Sequence, residues 1–386
     1  MVYVVFVYAV FVVSCNGQSG DNVTSLITKL FTTDGYMKNV RPNLDQTKPM
    51  QVNMDFYLVG INGIDEITQR LTTTGYLYIG WVDEYLKWDP SSYGQVQHFH
   101  ISQNKIWKPA ITVQNGFTKL NELGNSFINT YITWTGEVEW LPFEAFQTKC
   151  AIDITYFPFD RQTCNIIFGV WASSIAEVNV TKGTSGIVPH NLDENGMWSV
   201  VSTSASDDVE YAESRVIFTI ILERNSGYYM TNVIVPVILL GILKVFTFVL
   251  PADSGEKIGY TMTVFLSFAV YLTVVSSELP QTSGSILEYY LLFQLVMGTF
   301  VIVVTAIELR LNHRKHPVPS KILQILKCRC KNSVKHSDSS DSVQRDTKAK
   351  DWSDVISTLD FILFWSTLFV EFIVTLVILG ILINRL

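Results

Sequence analysis

Cysteine is scarce in this sequence, with five residues in 386. That is too few for a disulfide framework to replace a hydrophobic core. Basic charge is short as well: 28 Lys and Arg stand against 35 Asp and Glu, a net charge of −7. The basic residues before position 310 are scattered. Phosphate recognition needs a concentrated basic face, so nucleic acid is set aside as a partner. No hydrolase, phosphate-binding or zinc-protease motif occurs, which argues against an enzyme, and nothing calls for a cofactor.

Apolar residues are abundant, at 48% of the chain with a positive mean hydropathy, which is high for a soluble protein of this length. Residues 1–14, MVYVVFVYAVFVVS, form an apolar run followed by small and polar residues. We read 1–17 as a secretory signal peptide, although no Lys or Arg precedes the run. Export would bring Cys150 and Cys164 into an oxidising compartment, where they can pair. Closing a loop of about 15 residues would contribute roughly 3 kcal/mol. The sequons at Asn22 and Asn179 fit the same exported side as glycosylation sites. Between about 50 and 224, short β-branched and aromatic runs such as RLTTTGYLYIGWV and SRVIFTIILER are broken by turn residues. They predict an antiparallel β-sandwich, within an exported domain over 18–226.

After Arg224 four apolar stretches follow, at about 229–250, 258–277, 286–307 and 358–383. Each is long enough to cross a hydrocarbon core of about 30 Å. They define a four-helix transmembrane domain over 227–309 and 354–386, with a Lys/Arg-rich loop at 310–353 on the cytoplasmic side. Four spans return the C-terminus to the extracellular side. In the second span Gly259, Thr263, Leu266, Val270, Thr273 and Ser277 recur at steps of four and three, so they share one helix face. A packing face is one reading, because small and hydroxylated residues are common where membrane helices touch. The other is a water-lined path, with hydroxyls at both ends, a Leu ring closing the centre by dewetting, and Glu256 as a carboxylate ring at the cytoplasmic mouth. That reading needs several copies around an axis and favours permeant cations.

Taken together, the cysteine loop CAIDITYFPFDRQTC, the later PADSGEK and the four spans resemble the Cys-loop pentameric ligand-gated ion channels, nicotinic-like branch, over nearly the whole chain. The resemblance implies an all-β extracellular sandwich and a four-helix membrane bundle, assembled as a symmetric pentamer of identical or related subunits. It implies a multi-pass plasma-membrane protein in contact with membrane lipid, opened by an extracellular small-molecule agonist. Within it, Phe157, Pro158, Phe159 and Asp160 look like the coupling tip of the loop, with a cis bond before Pro158. Glu66 and Arg224 look like a pair at the domain junction, and Pro280 like the proline between the second and third spans. Pro236 also fits the pattern. Leu266 falls at the central gate and Glu256 at the cation-selecting ring.

For the agonist site the resemblance points to Trp171 on one face, and to Tyr76, Tyr131, Glu139 and Leu141 on the complementary one. The pattern fails at two places. Gln114 stands where a tyrosine is usual, and SASDDVEYAESR has no adjacent cysteine pair and only Tyr211 as an aromatic. Acetylcholine is therefore not the expected agonist. A core-packing role is the alternative for Trp171. His98 and His100 would share one side of a strand, but no third ligand is apparent and no metal site is expected. Lys244 is expected to snorkel toward the cytoplasmic surface, and Glu371, mid-span, to be protonated or to face a polar neighbour. The leading function is a cation-selective pentameric channel. Its rivals are a binding-deficient subunit of a heteropentamer and a membrane-anchored β-sandwich binding protein.

Overall fold

An extended chain turns successive side chains to opposite faces, and every second residue is buried along β11 (Glu213–Arg224) and along most of β2 (Arg70–Val82). The architecture comes from a computed structural model that describes residues 19–193, 195–251, 255–278, 284–314 and 352–383. The side chains of Ser277 and Glu278 are not among those described. The signal peptide over 1–17, Pro280 and most of the 310–353 loop lie outside the described residues.

Two sheets form the β unit. The larger runs β3 (His98–Ser102), β5 (Asn129–Thr133), β6 (Glu137–Trp140), β2, β1 (Met50–Asp65) and β9 (Val178–Asp193), with β7 (Phe143–Lys149) also pairing β2. The smaller is β10 (Trp198–Glu210), β11, β8 (Arg161–Val170) and β4 (Ile111–Val113). Neighbouring strands in the large sheet are antiparallel at β1–β2, whereas β9 joins β1 in parallel. Four rings join the sheets: Phe56 and Phe146 from the large one meet Phe168 and Phe218 from the small one, with centroids 5.3–5.9 Å apart. Such tilted and edge contacts add about 0.5–1.5 kcal/mol each to the burial itself. Gly75 makes room for this cluster, since a Cβ there would lie 2.8 Å from the Phe56 ring.

Among the described residues, the helical unit contains four helices long and apolar enough to cross a membrane: α2 (Gly227–Val249), α3 (Lys257–Glu278), α4 (Ile286–Asn312) and α5 (Trp352–Ile383). The short helix α1 (Gly20–Thr28) belongs to the β unit. A π-helical turn over Met230–Ile234 precedes Pro236 in α2. The proline ring has no N–H for the carbonyl four residues back, and the Tyr271 hydroxyl of α3 donates to that Asn232 oxygen at 2.5 Å. At the start of α4, Ser285 and Glu288 form a reciprocal capping box.

Residues 153–161, the middle of the cysteine loop, belong to the helical unit, while both cysteines belong to the β unit. Cys150 and Cys164 are disulfide-bonded and the Phe157–Pro158 peptide is cis. Asp160 grips Arg224 through both carboxylate oxygens, at 2.8 Å to Nε and 3.2 Å to Nη2. The Phe157 and Tyr229 rings flank the same guanidinium at 4.9 and 5.3 Å. The Ile286 backbone N–H donates to the Thr155 carbonyl at 3.0 Å, tying the loop to the first residue of α4.

Candidate functional site

Trp171 follows β8 directly, held by its backbone N–H to the Ala110 carbonyl at 2.8 Å. Its side chain is 56% exposed, which removes the core-packing alternative. Beside it lies a cleft of about 310 Å³, lined by Trp140, Leu120, Leu123, Lys108 and Glu122 among others. Lys108 stands over the Trp140 ring at 5.2 Å and pairs with Glu122 at 2.7 Å. Gln114, after β4, donates from Nε2 to Glu213 at 3.3 Å. Its amide packs against the bare backbone of Gly169, where a Cβ would approach it to 2.2 Å.

The β10–β11 hairpin turns in two residues, Tyr211 and Ala212, both at positive φ. Tyr211 sits at its tip, 92% exposed. Arg215 clamps the hairpin by pairing with Asp208 and Glu210.

On the outward face of the large sheet, all six strands of the main path contribute to a polar aromatic stripe. Tyr131 lies between His98 and His100, with centroids at 5.0 and 5.3 Å. Tyr131 pairs across strands with Glu139, which accepts the Tyr78 hydroxyl at 2.6 Å. Tyr78 titrates higher than a free tyrosine, because burial and then the Glu139 carboxylate disfavour its phenolate. Tyr76 stacks on Tyr57 at 4.8 Å, and His190 meets both rings edge-on. Burial also raises Tyr76. Leu141 is exposed past the end of β6. Thus Tyr76, Tyr131 and Glu139 share one face of the large sheet, while Trp171, Gln114 and Tyr211 lie at the small one. Sequence reading missed Tyr57, Tyr78 and His190, although alternation along β2 pairs Tyr78 with Tyr76. Among the described residues no group of three or more His, Cys, Asp or Glu could hold a metal ion.

In the helical unit, Gly259, Thr263, Leu266, Val270 and Thr273 are all exposed, with Leu266 at 64%. Lys257, Thr261, Phe268 and Val275 form the buried face on the other side of α3. The Thr263 and Thr273 hydroxyls donate to the Gly259 and Val270 carbonyls at 2.8 and 2.7 Å. Their protons are used on the helix, and oxygen lone pairs face outward. Glu256 is exposed just before the helix.

Lys244 corrects the expectation of a snorkelling side chain. It is buried and pairs with Glu371 of α5 and with Gln294 of α4, whose amide donates to Glu371 at 2.9 Å. An ammonium inside a bundle without water is stabilised by such partners. The sequons are half-buried: the Asn179 amide donates to Gln51 at 3.0 Å, and the Asn22 amide packs on Gly94. Arg224 has the Asp160 partner described above, and Glu66 lies at the end of β1.

A β-sheet ligand-binding unit joined to four membrane-length helices defines the class of ligand-gated channel subunits. Residues 23–226, more than half of the chain, match the family described as "Neurotransmitter-gated ion-channel ligand binding domain", and 233–345 match "Neurotransmitter-gated ion-channel transmembrane region". The chain belongs to this family, that of the Cys-loop ligand-gated ion channels, and resembles its nicotinic acetylcholine receptor subunits. It is 31% identical over 310 residues to the human neuronal acetylcholine receptor subunit alpha-3, covering 76% of this chain and 60% of that one. The Xenopus laevis acetylcholine receptor subunit beta is 31% identical, over 80% of this chain and 66% of its own length. Acetylcholine receptor subunit beta-like 1 of Drosophila melanogaster is 33% identical, over 80% and 61% respectively. The chain thus spans 60–66% of the length of these relatives. Receptor channels are not enzymes, and four spanning helices make this a multi-pass membrane protein, in keeping with the plasma membrane.

Proposed function

We propose that the chain is a subunit of a cation-selective pentameric channel opened by an extracellular small molecule other than acetylcholine. The observation that carries it is the exposed face of α3, a stripe that carries the Thr263 and Thr273 hydroxyls, with Leu266 at its middle and Glu256 at its head. Lipid would be poor company for such a face, whereas an aqueous lumen solvates it. Outward lone pairs on Thr263 and Thr273 favour cations, as does a ring of Glu256 carboxylates. Ser277 would continue the stripe. The loop of Phe157, Pro158, Phe159 and Asp160 would carry motion between the units it belongs to by chain, with Glu66, Arg224 and Pro280 as further coupling residues. Asn22 and Asn179 remain proposed acceptors, and Asn179 would first have to release Gln51.

The test is ion-substitution recording from cells expressing the chain, with a panel of amines, amino acids and pH steps. Glu256→Ala should lower conductance or cation preference, and Leu266→Thr should raise resting current or agonist sensitivity. Unchanged reversal potentials would remove the ring, and a conducting Leu266→Thr with neither effect would move the gate. Acetylcholine should bind weakly, because losing one desolvated ring contact of about 2 kcal/mol costs roughly 30-fold. Submicromolar acetylcholine binding would sink that part, and an agonist indifferent to Trp171→Ala would move the site.

A second reading is favoured by one contrast. The Trp171 side exposes Trp171 and Tyr211, whereas the Tyr76 side keeps a stacked tyrosine pair. The chain would then be a binding-deficient partner in a heteropentamer, offering Tyr76, Tyr131, Glu139 and Leu141 to another subunit's aromatic face. Silence when expressed alone, and currents with a related subunit that are sensitive to Tyr76→Ala, would select it.

A further inference from the structure

Lys257 follows Glu256 directly, yet the two side chains meet opposite environments. Glu256 is exposed, and Lys257 is 3% exposed. Successive helical residues are about 100° apart, which begins the separation but cannot maintain it, because a four-carbon stem can swing its ammonium through several ångströms. What holds it is a set of groups from the other helices. Lys257 donates to Glu308 of α4 at 2.9 Å and to Asp360 of α5 at 2.5 Å. The Phe248 ring of α2 stands 5.7 Å from the ammonium. The Glu308 and Asp360 side chains are 1% and 11% exposed. Thus the charge next to Glu256 in the sequence is locked into the bundle, on the side of α3 away from the exposed stripe.

We infer that Glu308 and Asp360 are positioning residues for ion selectivity: they hold the Lys257 ammonium inside each subunit, so that Glu256 sets the charge at the channel mouth. The inference rests on the reading of that stripe as the pore lining. A released Lys257 would place one positive charge per subunit within reach of each Glu256 carboxylate. The ring would then lose its attraction for cations.

The experiment compares the full-length wild type with Glu308→Gln, Asp360→Asn and the double variant, each with and without Lys257→Met. The chain is expressed alone and with a related acetylcholine receptor subunit. Unit conductance, reversal potential in substituted salts and surface protein are read together. The double variant should lower inward unit conductance about two- to fivefold and shift reversal toward chloride, and Lys257→Met should restore both. A purely structural role would change surface protein without changing unit conductance. Wild-type conductance and reversal in the double variant would overturn the inference, as would a loss that Lys257→Met does not rescue. If the double variant does not reach the surface, Asp360→Asn alone should still lower conductance about 1.5-fold, and wild-type conductance there would overturn it equally. Glu256→Gln is run alongside. If it too leaves conductance and reversal unchanged, or if no assembly containing the chain conducts, the pore reading fails and takes the inference with it. If only Glu256→Gln has an effect, the inference alone fails.

Discussion

The two units of this chain treat charge in opposite ways. In the β unit the interior is made of rings and aliphatic side chains, and most carboxylates and imidazoles stand on the outward face of the large sheet. The helical unit holds paired charges inside: Arg224 with Asp160 ahead of the spans, and, among the spanning helices, Lys244 with Glu371 and Lys257 with Glu308 and Asp360. The solvents explain the inversion. Water accepts charge around the β unit, whereas hydrocarbon around the helices makes the interior the cheaper place for a paired ion. A hydroxyl-bearing stripe on the outside of α3 is therefore the anomaly of the helical unit, and the reason to read it as facing water.

The sharpest way to break this comparison is to remove a partner of a buried charge. Asp160→Ala would take from the buried Arg224 guanidinium the carboxylate that grips it through both oxygens, beside the Phe157 and Tyr229 rings. We expect a loss of about 3–5 kcal/mol, seen as a fall in the melting temperature of the detergent-solubilised protein and in surface expression. Replacing both partners, Asp160→Leu with Arg224→Met, should cost clearly less. A single variant no worse than the double one would mean that the pair does not stabilise the unit.

Much of this contrast could not be read in the chain. The spans stand out because hydropathy needs only composition, and the α3 stripe because its period is local. Partnership is not local: Lys257 and Asp360 are 103 residues apart, and the snorkelling expected of Lys244 followed from looking at one helix alone. The first turn of α5 was cut off for the same reason. WSDVIS is half polar, yet Trp352 and Ile356 are buried in the bundle. In the β unit the missing elements were polar. β9 and β10 run 16 and 13 residues with few buried positions, so neither shows a clean alternation. With β9 went His190, which reaches Tyr57 only through the parallel β1–β9 pairing. The disulfide was legible because compartment and count left one plausible pair, whereas the Asp160 grip on Arg224 needed coordinates.

One residue of the β unit behaves like the helical unit and sharpens the comparison. Asp83 is buried and accepts the Tyr36 hydroxyl at 2.6 Å and the Tyr85 N–H at 3.0 Å. Burial pushes its carboxyl up to about 6, against which these hydrogen bonds pull only part of the way. The folded unit then holds this proton more tightly than the unfolded chain does. Its contribution is fully present below about pH 4 and is lost as pH rises through about 6. We expect a loss of about 1–3 kcal/mol across that window, over and above the other carboxylates, and a flatter profile in Asp83→Asn. Melting temperatures of the two proteins from pH 4 to 8 supply the check, and parallel profiles would remove Asp83 as the source.

The smallest effect should come from a contact whose carboxylates water already solvates. Arg215, itself 15% exposed, pairs with Asp208 and Glu210 across the β10–β11 hairpin, and both carboxylates are more than a third exposed. The guanidinium draws the Asp208 carboxyl below its usual range. In screened surroundings that shift converts into little stability, because ordering three long side chains offsets most of the attraction. Arg215→Ala should therefore cost about 0–1 kcal/mol, several-fold less than Asp160→Ala, even though both remove one partner of a charged contact. The two-residue turn at Tyr211 and Ala212 should survive, since its φ values are set by backbone and strand twist rather than by the clamp. If Arg215→Ala instead melted the protein as far as Asp160→Ala does, exposure would not be what separates the two units, and the contrast between them would have to rest on geometry alone.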